Sequence, residues 1–95
     1  PSRRRTAIDP ISSLLGVTNE NFYYKMRWSW FQAFESGLLY PLEVDRYYPE
    51  KNLAIDFDYQ TDEQLGKKKT KLEEQGIRYV AIQELPSIEC LGAYK

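Results

Sequence analysis

Three aspartates and a run of lysines in the middle of this chain could do chemistry. Val44 to Asp58 reads Val-Asp-Arg-Tyr-Tyr-Pro-Glu-Lys-Asn-Leu-Ala-Ile-Asp-Phe-Asp. An apolar strand segment carrying Asp45 is followed by a turn over Pro49 to Asn52. A second apolar segment then carries Asp56 and Asp58. A hairpin would bring Asp45 and Asp56 close together, and two carboxylates at neighbouring strand positions suit a hard divalent cation such as Mg²⁺. A lysine cluster, Lys67, Lys68, Lys69 and Lys71, follows after a short connection. Carboxylates, a metal and a lysine together suit hydrolysis of a phosphodiester. Without a cation or a bound proton, Asp45, Asp56 and Asp58 on one sheet edge would repel one another. The plainer alternative is a half-solvated antiparallel strand, which also alternates acids with apolar residues.

These residues need elements to position them. Asp9 as N-cap, Pro10 at the first helical position and Gly16 as stop predict a short helix through Leu15. Thr18 or Asn19 is expected to cap a longer helix over residues 20–36, closed by Gly37. Its apolar residues Tyr23, Met26, Trp30 and Phe34 recur every three or four positions, and Phe31 widens the stripe. Strands are expected over 39–48 and 53–59, with Leu53, Ile55 and Phe57 on one face and Ala54, Asp56 and Asp58 on the other. A helix from Asp62 or Leu65 to Gln75 should end at Gly76, before a third strand over 77–85 that Pro86 stops. The tail, 87–95, is expected to add a short strand or cover an edge. The order helix-strand-strand-helix-strand makes the class mixed α/β with a small mixed sheet.

Ninety-five residues make one small domain, and aromatics at 15% supply much of its burial area. We expect a basic arm and short helix over residues 1–18 and a single domain over 19–95. The formal net charge of −1 gives no global argument for nucleic acid, so charge placement matters more: Arg3, Arg4 and Arg5 form one basic run and the lysine cluster another. The absence of histidine removes His-based triads and His-containing zinc sites. A single cysteine, Cys90, excludes an internal disulfide and fits a cytoplasmic, intracellular setting. No apolar run approaches the ~20 residues of a membrane span. Pro1 rather than Met in first place leads us to expect a processed product or a fragment.

The element order and the acids resemble the PD-(D/E)xK nuclease superfamily, in particular its compact branch related to very-short-patch-repair endonucleases. The matching residues are Val44-Asp45, Pro49, Leu53 to Asp58, Lys68, Leu72, Gly76 and Ile77 to Ile82, within roughly residues 20–83. The resemblance implies a restriction-endonuclease-like core. It implies Asp45 as the acid that bridges metal, Asp56 as second ligand in place of the usual Glu, and the backbone carbonyl of Phe57 as a third. Asp58 stands where many members of the superfamily have lysine, so the ammonium is expected from the next helix, from Lys68 or from Lys67 or Lys69. A glutamate on the first helix often completes such sites; Glu20 is the candidate here and Glu35 the second.

The function expected is a metal-dependent DNA endonuclease. A Mg²⁺- or Mn²⁺-activated water would attack the phosphodiester, with Lys68 steadying the nucleophile or the scissile phosphate. So small a domain is expected to act on DNA as a homodimer, within a longer chain, or in a complex. The competing reading is a non-catalytic nucleic-acid-binding or assembly module of the same fold, which the missing lysine at Asp58 and the missing histidine favour. A third is an interaction domain docking through its aromatic segment, 22–34. Arg3 to Arg5 could be a DNA-binding arm or a disordered terminus. Tyr47, Tyr48 and Tyr59 could stack on bases, although at least one should be a packing residue. Cys90 reads as a small buried or semi-buried residue.

Overall fold

A computed structural model describes residues 4–5 and 9–85. The elements in chain order are β1 (Arg4–Arg5), α1 (Pro10–Leu15), β2 (Phe22–Met26), β3 (Gln32–Glu35), β4 (Leu38–Pro41), β5 (Val44–Tyr48), β6 (Leu53–Asp56), α2 (Asp62–Glu74) and β7 (Arg78–Ala81), followed by a 3₁₀ turn (Ile82–Glu84). The main sheet has the order β1-β2-β5-β6-β7, and β3 and β4 form a separate two-stranded sheet. Every pair in the main sheet is antiparallel except β6 with β7, which α2 connects in parallel. The protein is therefore a small mixed α/β domain with a mixed sheet, as its sequence pattern implies. Among the described residues no helix is long and apolar enough to cross a membrane.

α1 forms where its caps predict. Asp9 accepts the Ser12 N–H at 2.7 Å, and Gly16 leaves the helix at φ 74°, a left-handed conformation that glycine adopts without a Cβ penalty. α2 starts at the Thr61 cap, whose hydroxyl accepts from Gln64 N–H. Between β5 and β6, Asn52 takes φ 50° in the turn, accepts from Tyr47 Oη at 2.7 Å and donates to the Gly76 carbonyl at 2.6 Å. One turn residue thus ties the hairpin to the end of α2.

The segment 20–36 is not a helix, and this corrects the sequence reading. Phe22 to Met26 are strand β2, and Gln32 to Glu35 pair with Leu38 to Pro41 in a hairpin. Its two-residue turn, Ser36-Gly37, has φ 54° and 80°, the double left-handed turn whose twist suits a hairpin. Gly37 is a turn residue rather than a helix stop. Aromatic residues at helical spacing are equally good strand residues, and tertiary pairing decides between the two. Trp28 and Trp30, in the connection, stack on each other at 5.1 Å, and Trp28 also packs edge-on against Phe31 and Tyr47.

Other boundaries shift. The strand expected over 39–48 is two strands, β4 and β5, belonging to different sheets. β6 ends at Asp56 rather than Tyr59, and β7 gives way after Ala81 to the 3₁₀ turn. Arg4 and Arg5, expected in a mobile arm, pair with Tyr23 and Phe22 as an edge strand. Expectations for Cys90 and the tail lie outside the described residues.

Two buried clusters lie on opposite faces of the sheet. Val17, Phe22, Tyr48, Leu53, Ile55 and Val80 form one, with Leu15 of α1 against it. Phe31, Ala33, Val44, Ala54, Leu72, Tyr79 and Ala81 belong to the other, under α2 and the hairpin. Residues of β6 and β7 alternate between the faces as strands do. β2 and β5 break the alternation at one place. Phe22 packs on the α1 side, whereas Met26 packs on the α2 side. On the partner strand Tyr48 packs on the α1 side and Val44 on the α2 side. The paired switch falls between Tyr24↔Arg46 and Met26↔Val44, where Lys25 takes φ 58° opposite Asp45.

Candidate functional site

Asp45 and Asp56 meet where β5 begins and β6 ends. The register Arg46↔Ile55 places them opposite each other, one residue beyond the paired stretch. Each carboxylate takes a backbone N–H of the neighbouring strand: Asp56 Oδ1 accepts from Asp45 N at 3.0 Å, and Asp45 Oδ2 accepts from Phe57 N at 2.8 Å. Side chains thus complete a ladder that the backbones leave open, and this locks the two acids in register.

Asp56 is 2% exposed, so its charge needs partners. Lys68 of α2 donates to its Oδ2 at 2.8 Å and to the Glu43 carbonyl at 2.8 Å. Tyr79 Oη donates to the same Oδ2 at 2.5 Å. Burial, reinforced by the Asp56 hydrogen bond, pushes the Tyr79 phenol far above the ordinary tyrosine range, so it stays a donor. Tyr79 reaches Asp56 because the parallel pairing of β7 with β6 puts both residues on the α2 face. Asp45 Oδ1 faces Lys25 at 3.6 Å, and Lys25 also approaches Glu43 at 4.0 Å. The mutual repulsion expected of these acids is thus offset by two ammonium groups of the chain itself.

Asp45, Asp56, Lys68, Lys25 and Glu43 line an open groove of about 280 Å³, together with Asp58, Gln60, Gln64 and Tyr40. Gln60, buried beside Asp58, fixes the loop after β6: its N–H donates to Gln83 Oε1 at 2.8 Å, its carbonyl accepts from Gln83 Nε2 at 2.6 Å, and its side chain donates to the Asp58 carbonyl at 2.9 Å. Formal charges along the groove are four acids (Glu43, Asp45, Asp56, Asp58) against two lysines (Lys25, Lys68). Arg27, outside the groove, pairs with Glu43 at 3.1 Å, so the site as a whole keeps an acidic excess of one charge.

Of the residues singled out in the sequence, Asp45, Asp56, Asp58 and Lys68 come together here, and Phe57 meets the pair through its N–H. Glu20 does not join them: it precedes a strand rather than lying on a helix, and it pairs with Lys51 at 3.5 Å. Glu35 sits on the hairpin and binds Lys67 at 2.9 Å, while Lys69 is held by Glu84. Tyr48 is fully buried, bonded to Arg46 at 3.0 Å, and is a packing residue. Tyr47 packs against Trp28, whereas Tyr59, next to Asp58, is 76% exposed. Lys25, Tyr79 and Gln60 were not legible as site residues. Lys25 and Tyr79 depend on cross-strand pairing, and Gln60 on a contact with the distant Gln83.

Among the described residues no group of three or more acidic, histidine or cysteine side chains is arranged to hold a metal ion. Mg²⁺ does not require one: it keeps several waters and binds through one or two carboxylates. A carboxylate has about four acceptor positions. Asp56 has three occupied, and Asp45 has one firm bond and one loose ion pair. Acceptor positions therefore remain on both. No family model matches the chain, and no match was found among curated proteins or solved structures.

Proposed function

We propose that the domain is a metal-dependent DNA endonuclease in which Asp45 and Asp56 hold a divalent cation, Mg²⁺ or Mn²⁺. The single observation that carries this reading is the facing carboxylate pair with Lys68 on it, in a groove whose lining is net acidic. The cation would supply an activated water and offset charge developing on the phosphate. Asp45, with the more open lone pairs, is the principal ligand. Asp56 is fixed by Lys68 and Tyr79 and presents its remaining acceptor position. Asp58, beside the pair, orients a bound water. Lys68 acts by holding Asp56 in place, because at 2.8 Å from both Asp56 and the Glu43 carbonyl its ammonium is already committed. A restriction-endonuclease-like core is part of the proposal, supported by the β5-turn-β6-α2-β7 succession with its parallel last pair.

Calorimetric titration with Mn²⁺ tests it. Native protein should bind one ion saturably, and Asp45→Asn should lose at least tenfold in affinity. Absence of binding by the native domain, with and without DNA, would sink the metal mechanism.

One observation favours a second reading. Asp56 already accepts three donors and is buried, which is how a structural polar network looks. A non-catalytic nucleic-acid-binding module of this fold would keep such a network without hydrolysis. It would bind DNA in a salt-sensitive way yet show no dependence on Mn²⁺.

A further inference from the structure

Lys25 stands out from the other lysines near the site. Its backbone is left-handed, φ 58°, within strand β2, a conformation that costs a non-glycine residue free energy and persists only where surroundings impose it. That conformation accompanies the switch of faces in β2 and sets Lys25 directly opposite Asp45. Its ammonium is held loosely, at 3.6 Å from Asp45 and 4.0 Å from Glu43, with the side chain 44% exposed. Lys68, at 2.8 Å from each of two acceptors and 12% exposed, is by contrast locked in place.

Lys25 also has a particular position. A second surface groove, lined by Tyr24, Arg46 and Phe57, shares Lys25, Asp45 and Asp58 with the groove of the carboxylate pair. The two grooves therefore meet at these three residues, and an extended ligand crossing from one to the other passes the Lys25 ammonium. Arg46, the other cation of the second groove, is not free to serve. Its guanidinium lies 4.5 Å from both the Phe22 and Phe57 rings and pairs with Asp9 at 3.0 Å.

We propose that Lys25 is the phosphate-gripping residue of this site: when a divalent cation occupies the carboxylate pair, the Lys25 ammonium leaves Asp45 and contacts a non-bridging oxygen of a DNA backbone lying across the two grooves. The proposal rests on the metal-site reading above. It adds the residue that holds the substrate and the path the strand takes. Little is lost when Lys25 lets go of Asp45, because the pair is loose at 3.6 Å and its lysine half reaches solvent. The arriving cation replaces the charge that Asp45 gives up.

The test combines two titrations of native protein and Lys25→Gln. Calorimetry with Ca²⁺ or Mn²⁺ alone reads the cation, and fluorescence anisotropy with a labelled DNA duplex in Ca²⁺ reads the backbone contact across a salt series. Lys25→Gln should bind the cation at least as tightly as native, because a competing ammonium is gone. It should bind DNA about tenfold more weakly, with the salt slope reduced by about one. Lys51→Gln, the same charge change at a residue paired with Glu20 outside both grooves, should retain native DNA affinity. Lys25→Gly relieves the left-handed backbone. It should lose the same DNA affinity while melting no lower than native, which separates a lost contact from a lost fold.

Unchanged DNA affinity and salt slope in Lys25→Gln, with the cation still bound, would overturn the role of Lys25 and leave the metal site standing. Loss of DNA binding in Lys25→Gln with no cation bound by either protein would uphold the phosphate contact and overturn the metal reading. Absence of DNA binding by the native protein would overturn the proposal outright.

Discussion

Replacing Lys68 with Met should be among the most destabilising single changes in the protein. The ammonium is 12% exposed and sits on a carboxylate that is 3% exposed, 2.8 Å away. Removing one partner of a buried pair leaves the other charge uncompensated, which costs ~3–5 kcal/mol. Two donors remain on Asp56, the Asp45 N–H and Tyr79 Oη, so the lower end applies, about 3 kcal/mol. For a domain of this size that corresponds to a fall in Tm of roughly 12–24 °C. Urea unfolding at pH 7 of native protein, Lys68→Met, Asp56→Asn and the double variant would give the coupling directly, expected at about 2 kcal/mol because the double variant buries neither charge. Mn²⁺ adds a second readout. An ion that binds only the folded state at a hundred times its Kd restores about 2.7 kcal/mol, so Lys68→Met should recover much of its loss in Mn²⁺. A cost below about 1 kcal/mol, or a coupling near zero, would refute the premise that Lys68 carries the charge balance of Asp56.

Further outcomes follow from the geometry around the site. Asp9→Ala removes both the α1 cap and the ion pair to Arg46, and should cost ~1–2 kcal/mol in chemical denaturation. Burial raises the Asp9 pKa, but the Ser12 N–H and Arg46 outweigh it and bring it below its usual 3.8; Lys69 and the Ala81 N–H likewise overcome burial to bring Glu84 below 4.5. Depressed carboxyl pKa values contribute stability that is complete above the unfolded values and lost as pH falls through the folded ones. Urea midpoints should therefore hold above about pH 5 and decline below about pH 4.5, with a shallower decline in Asp9→Ala. Gly37→Ala meets no atom within 4 Å, so its whole cost is the left-handed backbone, ~1–2 kcal/mol, readable as a Tm shift. Phe31→Ala empties the fully buried anchor between the hairpin and the sheet and should cost ~3–5 kcal/mol, with hydrogen exchange in β3 and β4 rising most.

Part of this structure could be read from local signals because local chemistry sets it. The Asp9 cap and the Gly16 stop define α1, and a run of turn-forming residues joins β5 to β6. Asp62 to Glu74 lie between a Thr61 cap and Gly76, and form α2. The facing of Asp45 and Asp56 follows from that hairpin, and Lys68 reaches them from the helix that the same spacing predicts. Residues 20–36 defeated local reading because their aromatics fit either period. Phe34, placed on a buried helical stripe, is 70% exposed on a hairpin, and Tyr23 instead pairs with Tyr47. What decides is pairing of β2 with a strand some twenty residues away, which no local pattern displays. Lys25 was invisible for the same reason. Its position depends on a left-handed residue at a face switch shared by two strands, and a lysine gives no compositional sign of that conformation.

The most direct test of the central claim is cleavage of supercoiled plasmid in Mg²⁺ or Mn²⁺ by the native protein and by Asp45→Asn, with EDTA controls. Asp45 keeps its backbone bond to Asp56 in this variant, so the fold is retained while the principal ligand loses its charge. The result expected is nicking that requires the metal and falls by at least a hundredfold in Asp45→Asn. Plasmid left intact by the native protein, or nicking that persists undiminished in Asp45→Asn, would contradict a metal-dependent nuclease built on this carboxylate pair.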